Sequence, residues 1–476
     1  MSSLKKNLFY NFCYQILVLF LPIISTPYIS RILGPDGIGI NSYTYSIVNY
    51  FIIFSMLGVN NYGNRMIAKN RDDKEKMSKI FKEIHGLQVI VSSIMLVVYF
   101  LYLYFFEQKY PMISLIQSLY ILSCMFDINW FFFGIEKFKL TVGRNLLIKI
   151  ISLISIFCFI KQPEDVWIYT LILALSNLLS NLFLFPFLRR YIVNVKYNLS
   201  DLKKHIAPNL KLFLTVIAVS IYKVMDKTML GGISGVKEVG FYENAEKVIN
   251  IPIAIITALG TVMLPRMSNI YSKDDKTNAE SLIQKSMKFI MFLAFAMTFG
   301  LVAISNDFSS IFFGESFSET GILISLLAIT IIFLAWGNVL RTQYLIPKEK
   351  DKEYIISAFI GAAVNFVFNL ILIPKYNAVG ACLGTIFAEF SVMLYQSMKI
   401  NKELHLMKYI KDVIPFLVKA IVMFVLISCI NFLNLSGVLT ITLQIIFGII
   451  IYLLLNIKYI LSVIKFKYEK EEEAYE

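Results

Sequence analysis

The chain has 476 residues, of which 57% are hydrophobic, 15% aromatic and 16% charged, a balance too apolar for a soluble domain or a disordered one. Its net charge of +13, set on that apolar background, reads as basic loops meeting anionic membrane lipids, so lipid is expected as a partner and nucleic acid is not. Cys13, Cys124, Cys158, Cys382 and Cys429 lie far apart in apolar runs, which points to neither a disulfide framework nor a metal site.

In chain order, apolar runs recur at about 9–30, 40–61, 84–106, 112–133, 146–161, 167–188, 212–231, 240–264, 287–306, 321–346, 354–374, 379–399, 415–433 and 438–457. These make roughly fourteen spans, most near the ~20 residues that cross a bilayer. The first run follows Lys5 and Lys6 as a secretory signal would, but it is about 20 residues long and 30–34 offers no small-residue cleavage site, so it is expected to be retained. With both ends in the cytoplasm, about 33 of the 45 Lys and Arg fall on inner loops and ends, and one missed helix would reverse every later loop. Outward loops are short, the longest at about 306–320, which leaves a membrane polysaccharide polymerase little room for a catalytic domain. Gly235 and Gly240 have the spacing of a P-loop start, but Phe241 and Tyr242 stand where Lys and Ser/Thr are needed, so no ATP hydrolysis is expected.

Internal repetition organises the spans. RILGPDGIGINSYTYS (31–46) and TMLGGISGVKEVGFYENAEK (228–247) each end a helix with Leu-Gly, cross a Gly-containing turn and meet an apolar-Gly pair, Ile38-Gly39 and Val239-Gly240. WFFFGIEKFK from Trp130 and RTQYLIPKEK from Arg341 echo each other more weakly. Gly turns and basic inner loops recur in any polytopic chain, so chance likeness stands as the alternative. The repeat predicts an all-α integral membrane protein with an N-lobe at 1–200 (helices one to six), a C-lobe at 201–400 (helices seven to twelve), and two extra helices with a charged cytoplasmic tail at 401–476.

Four segments then carry a family likeness: NLFYNFCYQILVLFLPIISTPYISRILGPDGIGINSY, LGVNNYGNRMIAK, MDKTMLGGISGVKEVGFYENAEK and IPKYNAVGACLGTIFAEF. In this order, over about residues 4–400, the chain resembles the Wzx-type bacterial oligosaccharide flippases of the multidrug/oligosaccharidyl-lipid/polysaccharide exporter superfamily. The resemblance implies a V-shaped, MATE-like pair of helical lobes and a carrier, not an enzyme. It implies movement of an undecaprenyl-diphosphate-linked repeat unit from the inner to the outer leaflet of the bacterial cytoplasmic membrane, for capsule or other surface polysaccharide. Alternating access driven by a cation gradient or the membrane potential is implied as well, with no cofactor beyond a coupling H⁺ or Na⁺, and with a polysaccharide polymerase and assembly proteins as partners. A peptidoglycan-precursor flippase and a multidrug/cation antiporter are the alternatives within the superfamily.

Charges inside the spans supply the candidate site residues, because each costs several kcal/mol unless it meets water or a partner. By helical rise, Asp226 lies about 7 Å, Glu246 about 9 Å and Lys223 about 12 Å below the outer surface. Lys223 and Lys227 share a helix face, as do Glu243 and Lys247. Two readings stay open for this group: an ion-pair latch, or a lining in which Lys223 and Lys227 receive the diphosphate while Asp226, Glu243 and Glu246 couple to a cation or gate the path. Arg341, some 10 Å into the tenth helix, can grip a diphosphate with both arms of its fork or snorkel to the inner surface. Arg31 reads as a release site or an interfacial anchor, and Arg65, in GNRMIA, as a headgroup contact or loop packing. Glu389 and Asp127 are acids with no basic residue within one turn on their own predicted helices, suited to antiport or to a hydrogen bond in the protonated form. Asn41, Tyr43, Tyr45, Asn49, Asn365 and Asn369 suit sugar hydroxyls or helix-helix bonds, while Lys149 and Lys419 lie near the inner surface.

Overall fold

The computed structural model describes residues 3–463 except 197 and 434, with the side chains of 3–20, 138, 199, 214–216, 218–219 and 221–223 outside that description. Every regular element among the described residues is a helix. The chain forms two compact units, Met1–Glu243 and Asn244–Glu476. The first contains α1 (Ser3–Met56), α2 (Val59–Asn70), α3 (Lys74–Phe106), α4 (Pro111–Met125), α5 (Asn129–Gly134), α6 (Phe138–Phe159), α7 (Val166–Leu182), α8 (Phe185–Leu188), α9 (Lys203–Ile233) and the start of α10 (Val236–Ser272). The second contains the rest of α10, then α11 (Lys276–Phe313), α12 (Thr320–Leu340), α13 (Asp351–Leu404), α14 (Met407–Ser428) and α15 (Gly437–Leu455).

Both α1 and α13 have 54 residues, about 80 Å at helical rise and more than twice a bilayer's hydrocarbon core. Each is two helices joined at one residue outside helical dihedrals: Gly34 at φ 65°, ψ −179° and Asn377 at φ 50°, ψ −129°. Glycine meets no Cβ penalty there, and asparagine tolerates positive φ better than most residues. The expected pairs 9–30 with 40–61, and 354–374 with 379–399, are these two broken helices, and counting each half restores the fourteen crossings read from the sequence. The second run stops earlier than expected, at Met56. Leu57 takes φ 45°, and Gly58 is pressed on α9, where an added Cβ would lie 2.6 Å from the Asn209 carbonyl oxygen.

The repeated glycines meet each other in the first unit. A Cβ on Gly39 would lie 1.8 Å from the Val236 carbonyl oxygen, and one on Gly240 would lie 2.0 Å from that of Pro35. Shifting 35 and 39 by 201 gives 236 and 240, so the two contacts are images of one another about a local two-fold. Ser42 and its equivalent Glu243 complete the relation, with Ser42 Oγ donating to Glu243 Oε2 at 2.7 Å. Gly231 lies against the Tyr43 ring, and Ser46 Oγ bonds Thr228 Oγ1 at 3.0 Å, which holds α9 to the second half of α1.

A cluster of buried side chains joins α2, α3 and α5 at one end of this unit: Ile67, Phe81, Ile84, Trp130 and Phe131 are at most 3% exposed. Gly63 lies under the Trp130 ring. Trp130 Nε1 donates to Gln88 Oε1 at 3.0 Å, and Gln88 Nε2 donates to the carbonyls of Cys124 and Asp127 at 2.5 and 2.8 Å. One glutamine amide thus adds donors to the carbonyls where α4 ends, as a buried helix terminus requires.

Candidate functional site

That cap positions a polar cavity. After α4 ends, Asp127 Oδ1 accepts from the Asn129 backbone N–H at 3.0 Å and from Asn129 Nδ2 at 2.7 Å, an aspartate turn that starts α5. Asn129 Oδ1, fixed in this way, accepts from Arg144 Nη2 at 2.9 Å. Arg144, on α6 and 4% exposed, also donates Nη1 to the Ser180 carbonyl at 2.8 Å and Nε to Asn145 Oδ1 at 3.0 Å. On α7, Ser180 Oγ donates to Asn145 Oδ1 at 3.1 Å, and Asn181 Nδ2 donates to Ser123 Oγ of α4 at 2.8 Å.

These side chains line a cavity of about 560 Å³ inside the first unit, bounded also by Tyr45, Tyr120, Lys149, Ser152, Ser176 and Asn177. Tyr45 and Tyr120 meet edge to face at 5.0 Å. The lining thus carries two cations, Arg144 and Lys149, against one carboxylate, Asp127, among amides, hydroxyls and aromatic faces. A guanidinium locked by fixed acceptors offers directed donors to an anion, and the amides and rings suit hydroxyl-rich rings.

Of the residues singled out from sequence, Asp127 and Tyr45 lie in this cavity, as does Lys149. Asp226, Lys227 and Glu243 gather elsewhere in the same unit. Lys227 Nζ reaches Glu243 Oε2 at 2.6 Å, and Tyr242 Oη donates to Asp226 Oδ2 at 2.9 Å, Asp226 being 3% exposed. The charges there join α9 to α10 as partners. The side chain of Lys223 lies outside the described residues. Arg31 and Arg65 are exposed on α1 and α2. In the second unit Glu246 is half-buried on α10, and Glu389 is 7% exposed on α13. Arg341 opens a π-helical turn, Arg341–Leu345, and its guanidinium lies over the Tyr354 ring at 5.7 Å.

Arg144, Asn145, Asn177, Ser180 and Asn181 escaped the sequence reading. The fifth span is expected at 146–161, which leaves Arg144 in a loop, whereas α6 begins at Phe138. The signal was present: Arg144, Ile148 or Lys149, and Ser152 follow helical spacing, and LSNLLSNL (175–182) repeats Ser-Asn at four residues on the facing helix.

Among the described residues, eleven helices long and apolar enough to cross a membrane, two of them broken into halves, and a polar cavity set among them define a multi-pass membrane carrier. The solved lipid II flippase MurJ, in an inward closed conformation, has the same fold, with a TM-score of 0.79 over 96% of this chain and 99% of that one at 15% identity. A protein of Escherichia coli strain K12 named as an O-antigen transporter is 22% identical over 392 residues, 81% of this chain and 94% of its own length. The capsular polysaccharide biosynthesis protein CapF of Staphylococcus aureus is 21% identical over 267 residues, 54% of this chain and 66% of CapF. Residues 4–271, more than half of the 476, match the polysaccharide biosynthesis protein family, and the chain belongs to it.

Proposed function

We propose that this chain flips a lipid-linked oligosaccharide repeat unit, carried on undecaprenyl diphosphate, from the inner to the outer leaflet of a bacterial cytoplasmic membrane, for capsule or another surface polysaccharide. The observation that carries this reading is the Arg144 cavity, whose cations outnumber its single carboxylate and whose remaining polar groups are amides and hydroxyls. A multidrug/cation antiporter calls for acids to dominate its cavity, the opposite balance. Relatives named as an O-antigen transporter and a capsular polysaccharide biosynthesis protein support a sugar cargo. In this reading the glycan enters the cavity while the polyprenyl tail stays in lipid, so hydrated sugar is not dragged through hydrocarbon. Alternating access, with a proton or sodium gradient or the membrane potential as driving force, completes the proposal.

The test uses liposomes loaded with a fluorescent undecaprenyl-diphosphate oligosaccharide and an impermeant external quencher. Protein should speed quenching of the inner-leaflet pool over that in empty liposomes. Arg144→Ala should slow it at least about tenfold, the worth of one charge-assisted hydrogen bond or more. Running Arg341→Ala alongside separates the two arginines. No acceleration by the wild-type protein, with or without an ion gradient, refutes the reading.

A further inference from the structure

A second groove lies in the second unit, remote in sequence from Arg144. It encloses about 500 Å³ between α10, α11 and the helical segment that follows α15, and its lining is apolar apart from Arg266, Lys285, Ser286, Lys288 and the Tyr459 and Ser462 hydroxyls. The outer wall is firmly built, since Tyr459 packs on Phe416 at 4.8 Å and on Phe292 at 5.5 Å between ring centroids. The lining holds three cations and, among the described residues, no carboxylate. Asp412, which is not part of the lining, pairs with Lys288 at 3.3 Å from its Nζ and accepts from Gln284. Arg266 is exposed on α10.

The depth of these cations is informative. Apolar runs read from sequence end at 264 and resume at 287, so Arg266, Lys285 and Lys288 all stand within two residues of a span boundary, at headgroup level. The asymmetry of basic residues assigns this end to the cytoplasm. Exposed apolar side chains continue outward from the groove, with Val262 at 74%, Phe289 at 39% and Leu461 at 57%, so its greasy floor is continuous with the lipid-facing surface. A cationic rim over an acyl-sized apolar floor complements an anionic phospholipid in both charge and shape.

We infer that this groove holds one anionic phospholipid of the inner leaflet, its phosphate among Arg266, Lys285 and Lys288 and its chains against Leu259, Met263 and Phe289. The full chain, purified in mild detergent, is titrated with phosphatidylglycerol or with phosphatidylcholine of the same chains, and bound lipid is counted by native mass spectrometry. Phosphatidylglycerol should bind in preference and saturate at one tight copy. Each cation removed should weaken it about fivefold, so Arg266→Ala with Lys285→Ala should lose about 25-fold. Met263→Trp, which fills the groove and keeps every cation, should also weaken it. Removing two exposed lysines elsewhere, Lys74→Ala with Lys76→Ala, should change it less than about twofold. Equal binding of the two lipids, equal loss in the Lys74/Lys76 control, or full retention in Met263→Trp would each overturn the assignment, the last two by reducing it to general attraction between basic protein and acidic lipid. Displacement of the tight copy by millimolar inorganic phosphate would likewise count against a site that needs acyl chains.

Discussion

Arg144 donates to the Ser180 carbonyl and to the amide oxygens of Asn129 and Asn145. A lysine there keeps the charge but loses the planar fork, so Arg144→Lys should recover only part of the flipping lost in Arg144→Ala; full recovery would mean that charge alone matters. Asn129→Ala should slow flipping too, although Asn129 is neutral, because it links Arg144 to Asp127. Glu83 presents a different case, a fully buried carboxylate whose oxygens receive Lys204 Nζ at 2.8 Å and His205 Nε2 at 2.8 Å. Tyr62 Oη bonds the other ring nitrogen of His205 at 2.8 Å, so one acid gathers α2, α3 and α9. Glu83→Ala should destabilise the protein by about 2 kcal/mol, below the 3–5 of a fully dry pair because Lys204 is half exposed. A lowered thermal midpoint in detergent would register that loss, and an unchanged one would contradict it. Beside this cluster the Asp201 carboxyl sits below the usual aspartate range, chiefly because it accepts the Asn198 backbone N–H, with Lys79 and Lys204 adding to the effect. With the folded value depressed, its contribution is complete above the ordinary aspartate pKa of about 4 and is lost as pH falls below that.

At the scale of elements, the crossing of α1 with α10 is where the sequence repeat becomes contact. The backbones there approach within the space of a hydrogen atom, so Gly39→Ala and Gly240→Ala should each force the helices apart at a cost of about 1–3 kcal/mol or more. Being related by the local two-fold, they should give similar losses of stability. Gly232→Ala on α9, where a Cβ would meet nothing within 4 Å, should be neutral or slightly stabilising. A tolerated Gly39→Ala would show that the contact is loose. The repeat was legible because turn chemistry needs glycine at fixed offsets, and a gap in hydrophobicity marks each membrane exit. The Asn377 break falls in the gap between the runs 354–374 and 379–399, but no glycine marks it, so the sequence shows where the two spans part and not which residue turns the backbone. The Arg144 cavity was hidden for a related reason. Counting apolar residues trims a helix at its first charge, and an amide face such as that of α7 hardly lowers the hydropathy of a span whose other faces are leucine.

For the whole molecule, two kinds of charge matter differently to transport as proposed above. Basic residues at the membrane boundary are fixed in place by topology, whereas Arg144 and Lys149 line a cavity of the first unit where, in the proposed function, they meet the cargo. Only charges that change their position in the field contribute to the driving force. In the proposed function, a diphosphate of about two negative charges moving outward across an inside-negative 100 mV gains about 2.3 kcal/mol per charge, or nearly 5 in all. Each cavity cation that shifts outward with it cancels one unit. Flipping in liposomes clamped with potassium and valinomycin should therefore depend on voltage, and the steepness gives the net charge carried. If Arg144 travels with the cargo, Arg144→Ala should flip more slowly but with a steeper voltage dependence, by up to about 50-fold per 100 mV for one full charge. If the cavity side chains stay at one electrical depth, the mutant should be slower with unchanged steepness. A rate indifferent to voltage in the wild-type protein would mean that the diphosphate crosses fully neutralised, and an ion gradient would then have to supply any net driving force.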